Sequence, residues 1–169
     1  MATINQHGES AVMKIHTILH PTDFSEPAEY AFKLASSLAL DHGAQLLLLH
    51  VIPPPLTHGE ELARAAPDSY HDQMWRELEG IKPLDASLKI ERLLREGPPA
   101  KEIVQTANEN ACDLIVMGMH GRTGLRRLLL GSVAEEVLRH ATCPVLTVKT
   151  PFPKVASLGT EQAGEMIQT

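Results

Sequence analysis

The chain has 169 residues, 43% of them hydrophobic but only 4% aromatic, so it is long enough for one domain whose core is filled by Leu, Ile, Val and Ala. A formal net charge of −6 argues against nonspecific binding of nucleic acid or anionic membrane as the main activity. No apolar run approaches the ~20 residues that cross a bilayer, and the opening "MATINQHGESAVMK" lacks the charged and apolar regions of a secretory signal, so a cytoplasmic protein is expected. Its two cysteines, Cys112 and Cys143, make neither a disulfide framework nor a metal-ligand set and read as small, reduced, packed hydrophobes.

The first alternating segment is "KIHTILH" (14–20), whose β-branched residues predict a strand. It runs into the turn-rich "PTDFSEP", where Ser25 is placed as an N-cap with Pro27 in the first turn of a helix. Ala28, Ala31, Phe32, Ala35, Leu38 and Ala39 then recur on one helical face from Glu26 to His42, and Gly43 closes it. "AQLLLLHVI" (44–52) is continuously apolar, as in a strand buried on both faces of a parallel sheet. After the irregular "PPPLTHGEELARAAPDSYH", Tyr70, Met74, Leu78 and Ile81 mark one side of a further helix. "ASLKIERLLRE" reads as the third strand, although propensity alone also permits helix. "GPPAKEIVQTANEN" opens with prolines and carries Ile103, Val104 and Ala107 at helical spacing. "CDLIVMG" (112–118) is a fourth strand, Ser132 to Ala141 a helix, and "CPVLTVK" (143–149) a fifth strand. Residues 1–13 are expected to form an extension and residues 150–169 a tail without sustained periodicity, leaving 14–149 as the domain.

Five alternations of strand and helix predict an α/β three-layer sandwich around a parallel sheet. Ligands of such folds gather at the carboxyl ends of the strands, beside the point where strand order reverses. One of the segments leaving those ends is the glycine loop in "VMGMHGRTGLRRLLLGSVAEEVL" (116–138). Glycines let the main chain approach an anion, and a helix N-terminus adds free N–H donors and a favourable dipole. Gly131 and Ser132 stand just before a helix, so both devices are at hand. Ser132 and Glu135 also spell S-x-x-E, a capping box that competes with any phosphate for the serine. Neither G-x-x-x-x-G-K-[ST] nor G-x-G-x-x-G is present. Spacing alone leaves phosphate cradle and plain loop about equally supported.

The pattern Gly118-x2-Gly121-x9-Gly131-Ser132, preceded by "DLIVMG" and followed by "SVAEEVLRHATCPVLTV", resembles the universal stress protein family, in its ATP-binding branch. "ILHPTDFSEPAEYAFKLA" and "LLLLHV" resemble the first strand, first helix and second strand of that family, and the resemblance covers residues 14 to 149. It implies an adenine nucleotide alpha hydrolase-like sheet of strand order 3-2-1-4-5 and a homodimer through the last strand, Pro144 to Lys149. It also implies roles for single residues. Pro21, Thr22 and Asp23 match the end of the first strand, where the acidic residue faces the nucleoside and, through nucleotide-bound Mg, a metal. Val51 and Met117 match positions beside the adenine, while Gly118, Gly121, Arg122, Gly131, Ser132 and Val133 match the phosphate and ribose shell. His20 departs from the aliphatic residue usual there, and is expected to alter the polarity of the pocket.

Plainer readings stand beside these. Asp23 also suits a residue that stabilises the turn before the first helix. Arg126 and Arg127 suit a solvated face, and Leu128 to Leu130 suit a packed surface or an interface. His20, His50 and His120 all fall at strand carboxyl ends, so a three-histidine metal site is conceivable, though magnesium carried with ATP is the better expectation. The leading function is an ATP-binding, dimeric stress-response or regulatory protein with unknown protein partners. A slow ATPase or a phosphoryl- or adenylyl-transferring enzyme at the same site is the alternative, with His120 the only nearby general base. A scaffold that binds no nucleotide is the third reading.

Overall fold

The structure, a computed structural model, describes residues 14–54, 67–121 and 130–149. The expected N-terminal extension, the C-terminal tail, Arg122, Arg126, Arg127, Leu128 and Leu129 lie outside these residues. In chain order the elements are β1 (Thr17–Pro21), α1 (Glu26–His42), β2 (Gln45–Ile52), α2 (Pro67–Gly80), β3 (Ile90–Glu96), α3 (Pro99–Glu109), β4 (Leu114–Gly118), α4 (Ser132–His140) and β5 (Val145–Val148).

Local chemistry accounts for α1 from end to end. The Ser25 hydroxyl accepts from the Ala28 N–H, Pro27 occupies the first turn, and Gly43 stops the helix at φ 63°, a left-handed conformation that costs glycine little. The strand expected from Lys14 begins only at Thr17. Its entry is held instead by Asp113, whose Oδ2 accepts from the N–H groups of His16 and Thr17 at 2.7 and 3.0 Å and whose carboxyl lies below its ordinary pKa for that reason.

The strands pair in parallel in the order β3-β2-β1-β4-β5, the order that the family resemblance implies. Alternation along each strand splits the core into two layers. Ile18, Leu46, Leu48, Leu114 and Val116 face Ala31, Phe32, Ala35 and Ala39 of α1 and Leu78 of α2. Leu19, Leu47, Leu49, Ile115 and Met117 face Ala100, Ile103 and Ala107 of α3 and Ala134 and Val137 of α4. Leu46 to Leu49 are all buried, each adding about 1.5–3 kcal/mol of apolar burial, which explains why β2 carries no polar alternation. β3 is a strand rather than a helix because it pairs with β2 over seven positions, Leu46 opposite Ile90 to Ile52 opposite Glu96. No helix among the described residues is long and apolar enough to cross a membrane.

Candidate functional site

The chain builds β1, β2 and β3 toward one edge of the sheet, then returns to place β4 and β5 on the other side of β1. The connections leaving β1 and β4 therefore diverge to opposite faces, and a crevice opens between them at the carboxyl end. A cavity of about 420 Å³ lies there, within the range of small-molecule sites. Pro21, Thr22, Asp23, Val51, Met117, Gly118, Gly121, Gly131, Ser132 and Val133 all line it. Of the residues singled out in the sequence, only Arg122 is missing from the wall, because it lies outside the described residues.

The turn after β1 is built to aim Asp23. The Thr22 N–H extends the β1–β2 ladder to the Leu49 carbonyl at 2.8 Å, and the Thr22 hydroxyl then accepts from the Phe24 N–H at 3.1 Å. Asp23 Oδ1 accepts from both the N–H and the hydroxyl of Ser25, at 3.1 and 2.5 Å. These bonds hold Phe24 at φ 62°, a left-handed conformation unusual for a non-glycine residue. The two readings of Asp23 thus use different oxygens: Oδ1 ties the turn, and Oδ2 is directed to the glycine loop. A Cβ on Gly121 would stand 2.7 Å from that Oδ2, so a side chain there would make the carboxylate shift from its place beside the loop.

The other wall is the start of α4. The Gly131 N–H donates to the Met119 carbonyl at 2.9 Å, which draws the far end of the loop back to the exit of β4. The N-cap is Gly131, not Ser132, and no side chain caps the helix, so the capping box expected from S-x-x-E does not form. The first intrahelical bond is Glu135 N–H to the Gly131 carbonyl, at 2.9 Å. Ser132, Val133 and Ala134 therefore have N–H groups with no acceptor inside the helix, and all three residues line the cavity. With the positive end of the helix dipole, this wall suits an anion.

Much of the remaining wall is apolar: Leu49, Val51, Pro53, Ile103 and Met117, with Tyr70 contributed by α2. His50 and His120 also line it. His50 donates from Nδ1 to the Thr22 carbonyl at 2.8 Å and stacks obliquely on Phe24, with ring centroids 4.5 Å apart. That role in holding the turn was not legible in the sequence, since it depends on the β1–β2 register.

One expectation is corrected and one alternative falls away. His20 does not alter the pocket: its side chain points to the α1 face, fully buried, with its ring 5.7 Å from that of Phe32. His20, His50 and His120 do not assemble a metal site, because alternation along β1 sends His20 to the face away from the cavity; no cluster of three or more metal-ligating side chains occurs among the described residues. Cys112 and Cys143 sit before β4 and β5, at the amino ends of the strands and far from this wall, and burial pushes the Cys112 thiol up to about 12.

Fold and site together define a class: a parallel α/β domain with a switch-point cavity lined by a helix start and a largely apolar wall. The profile of the Universal stress protein family matches residues 14–149, and the chain belongs to that family. It is 36% identical over 154 residues to universal stress protein MJ0531 of Methanocaldococcus jannaschii, across 88% of this chain and 89% of that protein. The solved structure of hypothetical protein MJ0577 superposes with a TM-score of 0.73 at 35% identity, covering 83% of this chain and 100% of that one. A universal stress protein solved in complex with cAMP superposes with a TM-score of 0.60 at 25% identity, covering 80% and 98%.

Proposed function

We propose that this chain is an ATP-binding universal stress protein, a dimeric binding module of the cytoplasm that presents a different surface to partner proteins when nucleotide is bound. The observation that carries the reading is a cavity lined both by the first turn of α4, where the N–H groups of Ser132, Val133 and Ala134 have no acceptor inside the helix, and by a largely apolar wall. A nucleotide suits both, with a phosphate chain at one end and a planar base at the other. The phosphates would lie against Gly118, Gly121, Arg122, Gly131, Ser132 and Val133, and the adenine beside Val51 and Met117. Asp23 fits a phosphate-bound Mg, since its Oδ2 is an anionic oxygen turned toward the loop. The complex of a relative with cAMP supports an adenine nucleotide as the ligand class.

The test is to denature protein purified without added nucleotide and separate what it releases by anion exchange. Released ATP is the expected result. ADP or AMP in its place would favour the slow-hydrolysis reading. Empty protein that also fails to bind ATP with magnesium in calorimetry would leave the cavity without its nucleotide role. In the same assay Gly131→Val is expected to lose ATP binding at least tenfold while remaining folded. Even a Cβ at that position stands 3.2 Å from the Met119 carbonyl oxygen, and the branched side chain would crowd the anion wall. Unchanged affinity in the folded variant would remove the phosphate role from this loop.

A further inference from the structure

The helix α2 carries a stripe at four-residue spacing: Tyr70, Met74 and Leu78. Its lower part is core, with Leu78 fully buried and Met74 only 3% exposed. Tyr70, the next position on the stripe, is 39% exposed. The reason is the direction of the helix. As the crossover between parallel strands β2 and β3, α2 runs antiparallel to them, so its first turn stands at the carboxyl end of the sheet. There the stripe outruns the core, and Tyr70 reaches the cavity wall beside Val51 and Pro53.

Two ties hold the helix in that position. At its end, the Arg92 guanidinium of β3 donates to the carbonyls of Leu78 and Ile81 at 3.1 and 2.9 Å. At its start, His71 pairs with Glu96 at the end of β3. The Tyr70 ring is thus placed by a fixed scaffold, although the core covers it only in part. Among the described residues it is the only Phe, Tyr or Trp on the wall, in a chain with six such residues in all (three Phe, two Tyr, one Trp). A flat π surface on the wall of a cavity that is also lined by a helix start suited to an anion is what a heteroaromatic base stacks on.

We infer that Tyr70 is a base-recognition residue, the aromatic platform on which the base of a bound nucleotide lies, so that α2 contributes to ligand selectivity. This assignment rests on the nucleotide reading above. Three variants test it: Tyr70→Phe keeps the ring, Tyr70→Leu keeps apolar bulk without a π face, and Tyr70→Ala removes both. Calorimetric titration with ATP and magnesium is expected to show Phe within about twofold of the unsubstituted chain and Leu and Ala weaker by about tenfold. A second readout isolates stacking from packing. The emission of 2-aminopurine riboside triphosphate, quenched by an aromatic neighbour, is expected to fall on binding to the parent and the Phe variant and to recover in the Leu variant at saturation. Leu binding ATP as tightly as the parent with the same quenching overturns the assignment, as does equal weakening of Phe and Leu. Parent protein that binds no nucleotide at all removes the nucleotide reading and this assignment with it; the other failures remove only the assignment.

Discussion

At His20, Nδ1 donates to the Val116 carbonyl at 2.8 Å, while Nε2 is buried without a hydrogen-bond partner among the described residues. Burial pushes this imidazole down to about 4 from its ordinary 6.5, against the bond to Val116 and the attraction of Asp23, which act in the opposite direction. The folded value lies below the unfolded one, so the unfolded chain takes up the proton first. Stability is therefore fully present above pH 6.5, declines as the pH falls from 6.5 toward 4, and levels off below that. The span corresponds to roughly 3 kcal/mol. Urea unfolding at pH 7 and at pH 4.5 is expected to show a larger loss for the parent than for His20→Asn, whose amide retains a donor for Val116 but does not titrate. Equal losses in the two proteins would place the acid sensitivity elsewhere. Asp113, held below the ordinary carboxylate range by two backbone N–H groups, acts at lower pH and stays outside this window.

Among the elements, α2 has its end held by a side chain from another part of the chain. Arg92 closes its last turn by taking up two carbonyls, where α1 has a left-handed glycine for the same purpose. Arg92→Ala leaves those carbonyls to water or unsatisfied, with an expected cost of about 1–3 kcal/mol. The loss should be local: hydrogen exchange is expected to accelerate across Pro67–Gly80 and little in α1. Uniform acceleration, or none, would show that other contacts hold α2. Legibility of the elements follows the same division. The limits of α1 were readable because Ser25, Pro27 and Gly43 act on their own neighbours. The start of α4 at Ser132 was readable, but its cap was not: the S-x-x-E pattern suggests a cap at Ser132, whereas the loop geometry puts the extended residue at Gly131, with ψ 150°. The ambiguity of β3 between strand and helix was settled by a partner strand, which no local pattern contains.

For the molecule as a whole, the proposed dimer concerns a sheet edge. β3 and β5 are the outer strands, and β5 offers four residues with Leu146 exposed on it. An edge of this kind presents unpaired N–H and C=O groups, and a second copy would both satisfy them and cover the leucine. Sedimentation velocity is expected to give a dimer for the parent and a monomer for Leu146→Lys, which sets a charge at the seam. A monomeric parent, or a dimeric Lys variant, would exclude Pro144 to Lys149 as the interface. The site was legible in outline, since glycines, Asp23 and the strand ends carry recognisable chemistry. Tyr70 and His50 were not, because each acquires its place from packing between separate elements.

The class of the fold and every described element but β3 were fixed by local sequence chemistry. Caps, prolines and glycines act over one helical turn, and the apolar runs of β2 and β4 can be satisfied only inside a covered parallel sheet. Only the tertiary structure decided which face each side chain meets. Register and alternation send His20 into the α1 layer while Pro21 and Asp23 reach the cavity wall. They bring the Asp23 carboxylate against Gly121. The direction of α2 carries Tyr70 beyond the core. The physical reason is that local conformation depends on neighbours in the chain, whereas a site is made where separate elements pack together, and that placement follows from pairing the strands and burying both faces of the sheet at once.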